Sequence, residues 1–116
     1  MRIEDYSFGS IRIDGATYEK DIVIDRGEVS KRKKKASKPF AAEFGHTPLS
    51  VEENIPWTCA RLVVGTGQHG ALPVMDAVKR EAKRRKIELA LLPTPKAIEL
   101  LNTDPVDTNA ILHLTC

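Results

Sequence analysis

The chain has 116 residues, of which 41% are hydrophobic and 29% are charged, and its formal net charge is +2. This length and composition predict one globular domain, residues 1–116, whose core needs neither disulfides nor a metal. They exclude a membrane helix, because no apolar run approaches the roughly 20 residues that such a helix requires. The charged start Met1–Asp5 lacks the apolar core of a signal peptide, so a cytoplasmic location without membrane contact is expected.

Two antiparallel hairpins are predicted in the region 6–31. Ile11 and Ile13 alternate with polar residues up to Asp14-Gly15, a pair typical of a two-residue turn, and the chain returns over 16–19. A second pair of strands is expected on either side of a turn at Arg26-Gly27.

The segment 32–48 has no hydrophobic periodicity and predicts a long, exposed, basic loop. Ser50 and Glu53 then have the spacing of a capping box, which predicts a short helix that ends before Pro56. Trp57, just beyond it, is expected to anchor the core or its edge.

The region 58–116 predicts a β-α-β-α-β arrangement. Strands are expected at Arg61–Val64 and Glu88–Leu92, on either side of a helix at Pro73–Arg85. A crossover of this kind makes the two strands parallel and places the loops that follow them at one edge of the sheet. A second helix, Pro95–Asn102 with Thr94 as its cap, and a last strand, Ala110–Leu114, complete the region.

The predicted fold class is therefore α/β, with a central mixed β-sheet of about five strands, flanking helices and an antiparallel hairpin layer.

A glycine motif follows the first strand of this region. Residues 65–70, Gly-Thr-Gly-Gln-His-Gly, match the G-x-G-x-x-G pattern of dinucleotide-binding loops. In such loops the helix starts among the glycines, whereas here Pro73 marks the expected helix start. The strand after the helix also ends in Leu92-Pro93 without the carboxylate that would bind a ribose. The motif therefore does not predict a nucleotide cofactor, and no cofactor is expected.

Cysteine and histidine residues indicate no metal site. His46, His69 and His113 are isolated in the sequence, and neither they nor the two cysteines have the spacing of a metal site. Cys59 and Cys116 are expected to be free thiols, with Cys59 behaving as a buried small hydrophobe.

Two surfaces are candidates for binding. The first is a crevice at the carboxyl edge of the parallel strands, where α/β sheets bind ligands; its lining would be Thr66, Gly67, Gln68, His69 and Thr94. The alternative is a tight turn that only connects strand and helix. The second is a basic patch of six residues without an acid between them: Lys31, Arg32, Lys33, Lys34, Lys35 and Lys38. A solvated loop would explain the same charges.

The order of several motifs along nearly the whole chain resembles the adipogenesis-associated Mth-domain family. These motifs are Phe8-Gly9-Ser10-Ile11, Gly45-His46-Thr47-Pro48, Gly65-Thr66-Gly67-Gln68, Pro93-Thr94-Pro95 and His113-Leu114-Thr115-Cys116. The resemblance implies a compact α/β fold around a mixed sheet, and it implies no established catalytic residues. Relatives of that family include a mitochondrial branch that assists the assembly of respiratory complex I.

The leading functional prediction is a non-enzymatic binding or assembly-type protein, monomeric or homodimeric, that presents the basic patch and the crevice to a protein partner or a small anion. The alternative is an enzyme that uses the crevice. The third hypothesis is nucleic-acid binding through the lysines with Arg80, Arg84 and Arg85, which the lack of interleaved aromatic residues disfavours.

Overall fold

The computed structural model describes residues 1–116 and contains two β-sheets and three α-helices. The smaller sheet is antiparallel, with strand order β1-β2-β3, and it consists of β1 (Ile3–Ser7), β2 (Ser10–Ile13) and β3 (Ala16–Tyr18). The Asp14-Gly15 turn joins β2 to β3 with positive φ at both residues, which confirms the first predicted hairpin. β1 was not predicted, because Ile3 is its only buried residue and the charged Glu4 and Asp5 that follow do not continue an apolar pattern.

The larger sheet is mixed and has five strands in the order β5-β4-β8-β6-β7. Its members are β4 (Ile22–Asp25), β5 (Glu28–Lys31), β6 (Arg61–Thr66), β7 (Glu88–Leu92) and β8 (Thr108–His113). β6 is parallel to both β7 and β8, whereas β4 is antiparallel to β5 and β8. The α/β class, the five-stranded mixed sheet and the parallel β6–β7 pair are as predicted, and the second hairpin forms one side of this sheet.

Two apolar clusters pack on opposite faces of the larger sheet. Val63 and Leu112 belong to the cluster that also contains residues of the smaller sheet and of α3 (Thr94–Thr103). Their neighbours Val64 and Ile111 belong to the cluster under α2 (Asp76–Arg84). This alternation follows from the two-residue period of a strand and explains why β6 and β8 are apolar throughout.

Several element bounds differ from the predictions. α2 begins at Asp76 rather than at Pro73, because the preceding residues form a bridge in which Val74 pairs with Leu49. Ser50–Glu53 forms a turn and no helix; the Glu53 carboxylate binds Arg32 instead of the amide it would cap. Thr94 is the first residue of α3, and its hydroxyl makes no capping hydrogen bond.

The segment 32–48 is also more ordered and less exposed than predicted. It contains a 3-10 helix, Lys35–Phe40, followed directly by α1 (Ala41–Phe44). Arg32, Ser37 and Pro48 are buried.

None of the helices in the structure has the length and apolar character that crossing a membrane would require.

Candidate anion-binding cleft

A cleft of about 700 Å³ opens at the edge of the larger sheet where β8 ends. Strand register brings its parts together: Ile22, the first residue of β4, is paired with Lys31 on one side and with Leu112 on the other. The residue before β4, the last residue of β5 and the last residue of β8 therefore meet at one place. The cleft is lined by Glu19, Lys20, Asp21, Lys31, Arg32, Lys33, Lys34, Lys35, Lys38, His113 and Thr115.

The basic residues of the cleft differ in exposure. Lys31, Lys33, Lys34, Lys35 and Lys38 of the predicted patch are exposed, and Lys20 joins them from the other side. The expectation that Arg32 belongs to the exposed patch is wrong: its side chain is 1% exposed and lies beneath the lysines. The sixth cation of the cleft surface is therefore Lys20, which the sequence pattern did not indicate.

Arg32 is the centre of a buried hydrogen-bond network. Its Nε and Nη2 donate to the two carboxylate oxygens of Glu53, each at 2.8 Å, and Nη1 donates to Asp21 Oδ2 at 3.0 Å. Burial lowers the pKa of Arg32, but the hydrogen bonds and charges of Glu53 and Asp21 outweigh burial and leave this pKa above its usual value. The Ser37 hydroxyl also donates to Glu53, and the Ser50 and Ser37 hydroxyl oxygens are 2.7 Å apart. The network thus fixes the basic segment to the turn at 50–53.

Asp21 joins this network to the end of β8. Its Oδ2 lies 2.7 Å from His113 Nδ1, and its Oδ1 accepts from the Leu114 amide at 2.9 Å. Burial raises the pKa of Asp21, but hydrogen bonds and charge from His113, the Leu114 amide and the Arg32 charge outweigh burial, so this pKa lies below its usual value. Asp21 is therefore ionised at neutral pH and holds the His113 ring in one orientation.

The electrostatic balance of the cleft is positive. Together with Glu53, its groups comprise seven cationic and three anionic side chains when His113 is neutral. Six of the cations are lysines that face the opening, whereas two of the anions, Asp21 and Glu53, are paired with Arg32. The open surface of the cleft is thus suited to a ligand with several negative charges.

The glycine loop lies next to this cleft but is occupied by the chain itself. The amide of Gln68 donates to Thr115 O at 3.0 Å, and the amides of His69 and Ala71 donate to Cys116 O at 3.1 and 3.2 Å. Gly67 has a φ of +101°, and a Cβ there would lie 2.6 Å from the carbonyl carbon of Cys116. The amides that would bind an anion in this loop are therefore already hydrogen-bonded.

Thr94 holds the loop to the sheet edge. Its Oγ1 donates to His113 O at 2.6 Å and accepts from Gly67 N at 2.9 Å. Thr66 donates to Leu92 O at 3.0 Å. Thr66, Gly67 and Thr94 thus lie at one edge of the sheet, while the side chains of Gln68 and His69 are exposed.

A smaller cavity of about 170 Å³ adjoins the cleft. Lys34, His113 and Thr115 line both this cavity and the basic cleft. Its other residues are His46, Thr47, Ala71, Leu72 and Cys116. Asp21 and Thr115 were not predicted as site residues, and only the register of β4 and β8 places Asp21 beside His113.

The remaining candidate residues do not line the cleft. Arg84 of α2 and the adjacent Arg85 pair with Glu81. Arg85 also lies 5.1 Å from the centroid of the Trp57 ring, which packs against the apolar cluster under α2. No basic residue of α2 lines the cleft. Cys59 and Cys116 are free and partly buried, and burial raises the pKa of the Cys59 thiol. No three His, Cys, Asp or Glu side chains converge as a metal would require.

Residues 3–104 match the model of the family described as "Protein of unknown function (DUF498/DUF598)". The chain belongs to this family. The conserved hypothetical protein PH1505 from Pyrococcus horikoshii is 29% identical with a TM-score of 0.84, and the match covers 100% of both chains. The protein MT938 is 26% identical with a TM-score of 0.71, and the match covers 99% of this chain and 98% of that one.

A further solved structure shares the fold. A Bordetella pertussis protein described as a Mth938-like domain is 15% identical with a TM-score of 0.62, and the match covers 97% of this chain and 85% of that one. The predicted resemblance to the Mth-domain family is thereby confirmed. No curated protein matches the sequence.

Proposed function

We propose that this Mth938-like protein is a non-enzymatic binding protein that takes an acidic segment of a protein partner into the basic cleft. The observation that carries the proposal is the convergence of six lysines on one concave surface whose two buried carboxylates are already paired with Arg32. Such a surface attracts anions and orients them, and it contributes more to association rate and specificity than to raw affinity. An assembly role in the cytoplasm is consistent with this kind of docking.

The lining chemistry favours a peptide carboxylate over other ligands. The cleft has no hydrophobic residue, whereas pockets for small organic molecules are predominantly apolar. It also has no Phe, Tyr or Trp side chain on which a nucleobase could stack. Lysine ammonium groups act as point charges that tolerate carboxylates in many orientations. An extended acidic segment satisfies these conditions.

An enzyme built on the glycine loop has weaker support. The loop amides that could stabilise a developing oxyanion donate to Thr115 and Cys116 carbonyl oxygens. His69 is exposed and has no hydrogen-bonded carboxylate to orient it. The loop therefore supports the edge of the sheet rather than a reacting group.

The proposal is tested by fluorescence anisotropy with a labelled deca-glutamate peptide. We expect Lys33→Glu/Lys34→Glu/Lys35→Glu to weaken binding by about tenfold or more at low salt, because three attractive contacts become repulsive. The matched control, Lys79→Glu/Arg80→Glu/Lys83→Glu, makes the same change in net charge on α2 and should leave most of the binding intact. Equal losses in the two variants would contradict a specific cleft.

A labelled oligothymidylate of similar charge distinguishes the nucleic-acid hypothesis. Tighter binding of this oligonucleotide, with a steep salt dependence that the triple cleft variant flattens, would replace the proposal by nucleic-acid binding. We expect the peptide to bind at least as tightly.

A further inference from the structure

His113 and Thr115 form a polar pair at the floor of the basic cleft. His113 Nε2 lies 3.3 Å from Thr115 Oγ1, on the side of the ring away from Asp21. Because Asp21 is ionised, His113 Nδ1 carries a hydrogen and donates it to this carboxylate. In the neutral ring Nε2 therefore holds a lone pair, to which the Thr115 hydroxyl donates.

We infer that His113 and Thr115 are the subsite that binds one oxyanion of the incoming acidic group, and that this binding takes up a proton at His113 Nε2. The inference rests on the proposed function, because it assigns the residues at which the acidic group is recognised. The proton comes from solvent, and no covalent bond changes. After uptake Nε2–H and the Thr115 hydroxyl are two donors that can converge on one oxygen atom.

Proton and anion must bind together for an electrostatic reason. An anion that approaches a neutral His113 meets a lone pair, whereas the protonated ring offers a charge-assisted hydrogen bond. Conversely, the cationic surface of the cleft opposes a further positive charge until an anion neutralises it. Each ligand therefore raises the affinity for the other, as linkage requires.

Some charged groups around His113 favour its protonation and others oppose it. Beneath the ring, Asp21, Arg32 and Glu53 together carry one excess negative charge, which a protonated His113 would balance. The other charged or titratable groups that line the two cavities with His113 are Glu19, Lys20, Lys31, Lys33, Lys34, Lys35, Lys38, His46 and Cys116. The Tyr6 hydroxyl donates to Leu114 O at 2.9 Å and is kept protonated, since burial and the Asp21 charge raise its pKa. Only His113 contacts Asp21 and also lines both cavities.

The first test follows the protonation of His113 in the full chain by NMR at pH 7 while sodium sulfate is added. Sulfate is a dianion at pH 7, so any proton that is taken up together with sulfate is bound by the protein. We expect sulfate to shift the His113 ring resonances toward the protonated form and to leave those of the exposed His69 unchanged. If the His113 resonances do not move toward that form, the inference is wrong, whatever the acidic peptide does.

The second test is calorimetry of deca-glutamate binding in two buffers of different ionisation enthalpy. We expect uptake of up to one proton and an affinity that rises about tenfold between pH 8 and pH 6, since glutamate carboxylates stay ionised there. His113→Asn can keep the donor to Asp21 but cannot protonate, so it should abolish proton uptake while lysine-dependent binding persists. The control His69→Asn should behave like the original protein, and Thr115→Val should weaken sulfate binding at pH 6.

The outcomes separate this inference from the proposed function. Peptide binding that depends on the lysines, with the same pH dependence in His113→Asn, overturns the inference and keeps the proposed function. Sulfate-linked protonation of His113 without peptide binding keeps the subsite and overturns the proposed partner.

Discussion

Arg32 and Glu53 form a buried ion pair with two parallel hydrogen bonds, Nε to Oε1 and Nη2 to Oε2, both 2.8 Å long. Their side chains are 1% and 4% exposed. Arg32 Nη2 also donates to Pro48 O, and Nη1 donates to Asp21, so the guanidinium has partners on three segments. The pair therefore fixes the lysine-bearing segment at the sheet edge, and the cleft depends on it.

Arg32→Met should be strongly destabilising. It leaves the carboxylate of Glu53 buried without its cation, a change that typically costs about 3–5 kcal/mol. The exposed neighbour offers a matched control: Lys33→Met should change the free energy of unfolding by less than about 0.5 kcal/mol. Urea denaturation of the two variants measures the difference, and similar stabilities would show that the buried pair does not hold the segment.

Asp21 makes stability depend on pH in the acid range. Its pKa in the folded protein is below the usual 3.8, so its stabilising effect is complete above that value and disappears as the pH falls through the lower, folded-state pKa. Asp21→Asn should therefore be less stable than the original protein at pH 7, by about 1.5–3 kcal/mol for the lost charged hydrogen bonds.

Stability measurements at several acidic pH values test the direction of this pH dependence. As the pH falls from 5 toward 2, the stability difference between Asp21→Asn and the original protein should shrink, because protonation of Asp21 removes the same charge. Denaturation curves at several pH values measure it, and a constant difference would mean that the folded-state pKa of Asp21 is not lowered.

Local sequence patterns predicted most of the elements but not the cleft. Alternation at Ile11 and Ile13 and the Asp14-Gly15 turn depend on neighbouring residues, so they could be read directly. Strand order could not, because β8 pairs with β4 through residues about 90 positions apart and with β6 through residues about 47 positions apart. This pairing places His113 beside Asp21, and no spacing in the sequence encodes it.

The burial of Arg32 could not be predicted either, because it also depends on contacts between segments that are distant in sequence. Within a run of lysines its charge predicts exposure, and the Ser50–Glu53 pattern predicts a helix cap. In the structure Arg32 is buried and Glu53 caps no helix, because the Glu53 carboxylate accepts hydrogen bonds from the buried guanidinium instead of from a helix amide. A buried pair of this kind is visible only when both segments are placed.

Gly67→Ala should disturb the contact between the glycine loop and residues 115–116. Beyond the cost of a positive φ, the added Cβ would lie 2.6 Å from the Cys116 carbonyl carbon, so backbone must move. Gly45→Ala is the control, because its φ is +74° but no atom lies within 4 Å of the added Cβ. The control should lose about 1–2 kcal/mol from the backbone conformation alone, and Gly67→Ala clearly more.

Hydrogen exchange locates the effect of Gly67→Ala. The amides of Gln68 and His69 donate to the Thr115 and Cys116 carbonyls, so displacement of these residues should accelerate exchange at both amides. Equal stability and equal exchange in the two glycine variants would contradict the close approach.

Thr94→Val tests whether a single hydroxyl joins the loop to the sheet. Valine has nearly the same shape, but it leaves the Gly67 amide and the His113 carbonyl without the partner that Thr94 Oγ1 provides, at 2.9 and 2.6 Å. Thr94 is fully buried, so an unpaired Gly67 amide should cost about 1–3 kcal/mol. Thr94→Ser keeps the hydroxyl and should retain more stability than the valine variant.

The Thr94 hydroxyl also binds His113, the last residue of β8, so Thr94→Val should weaken the coupling between sulfate binding and His113 protonation. If the coupling depended on packing of the Thr94 side chain instead, Thr94→Ser would weaken it more than Thr94→Val does.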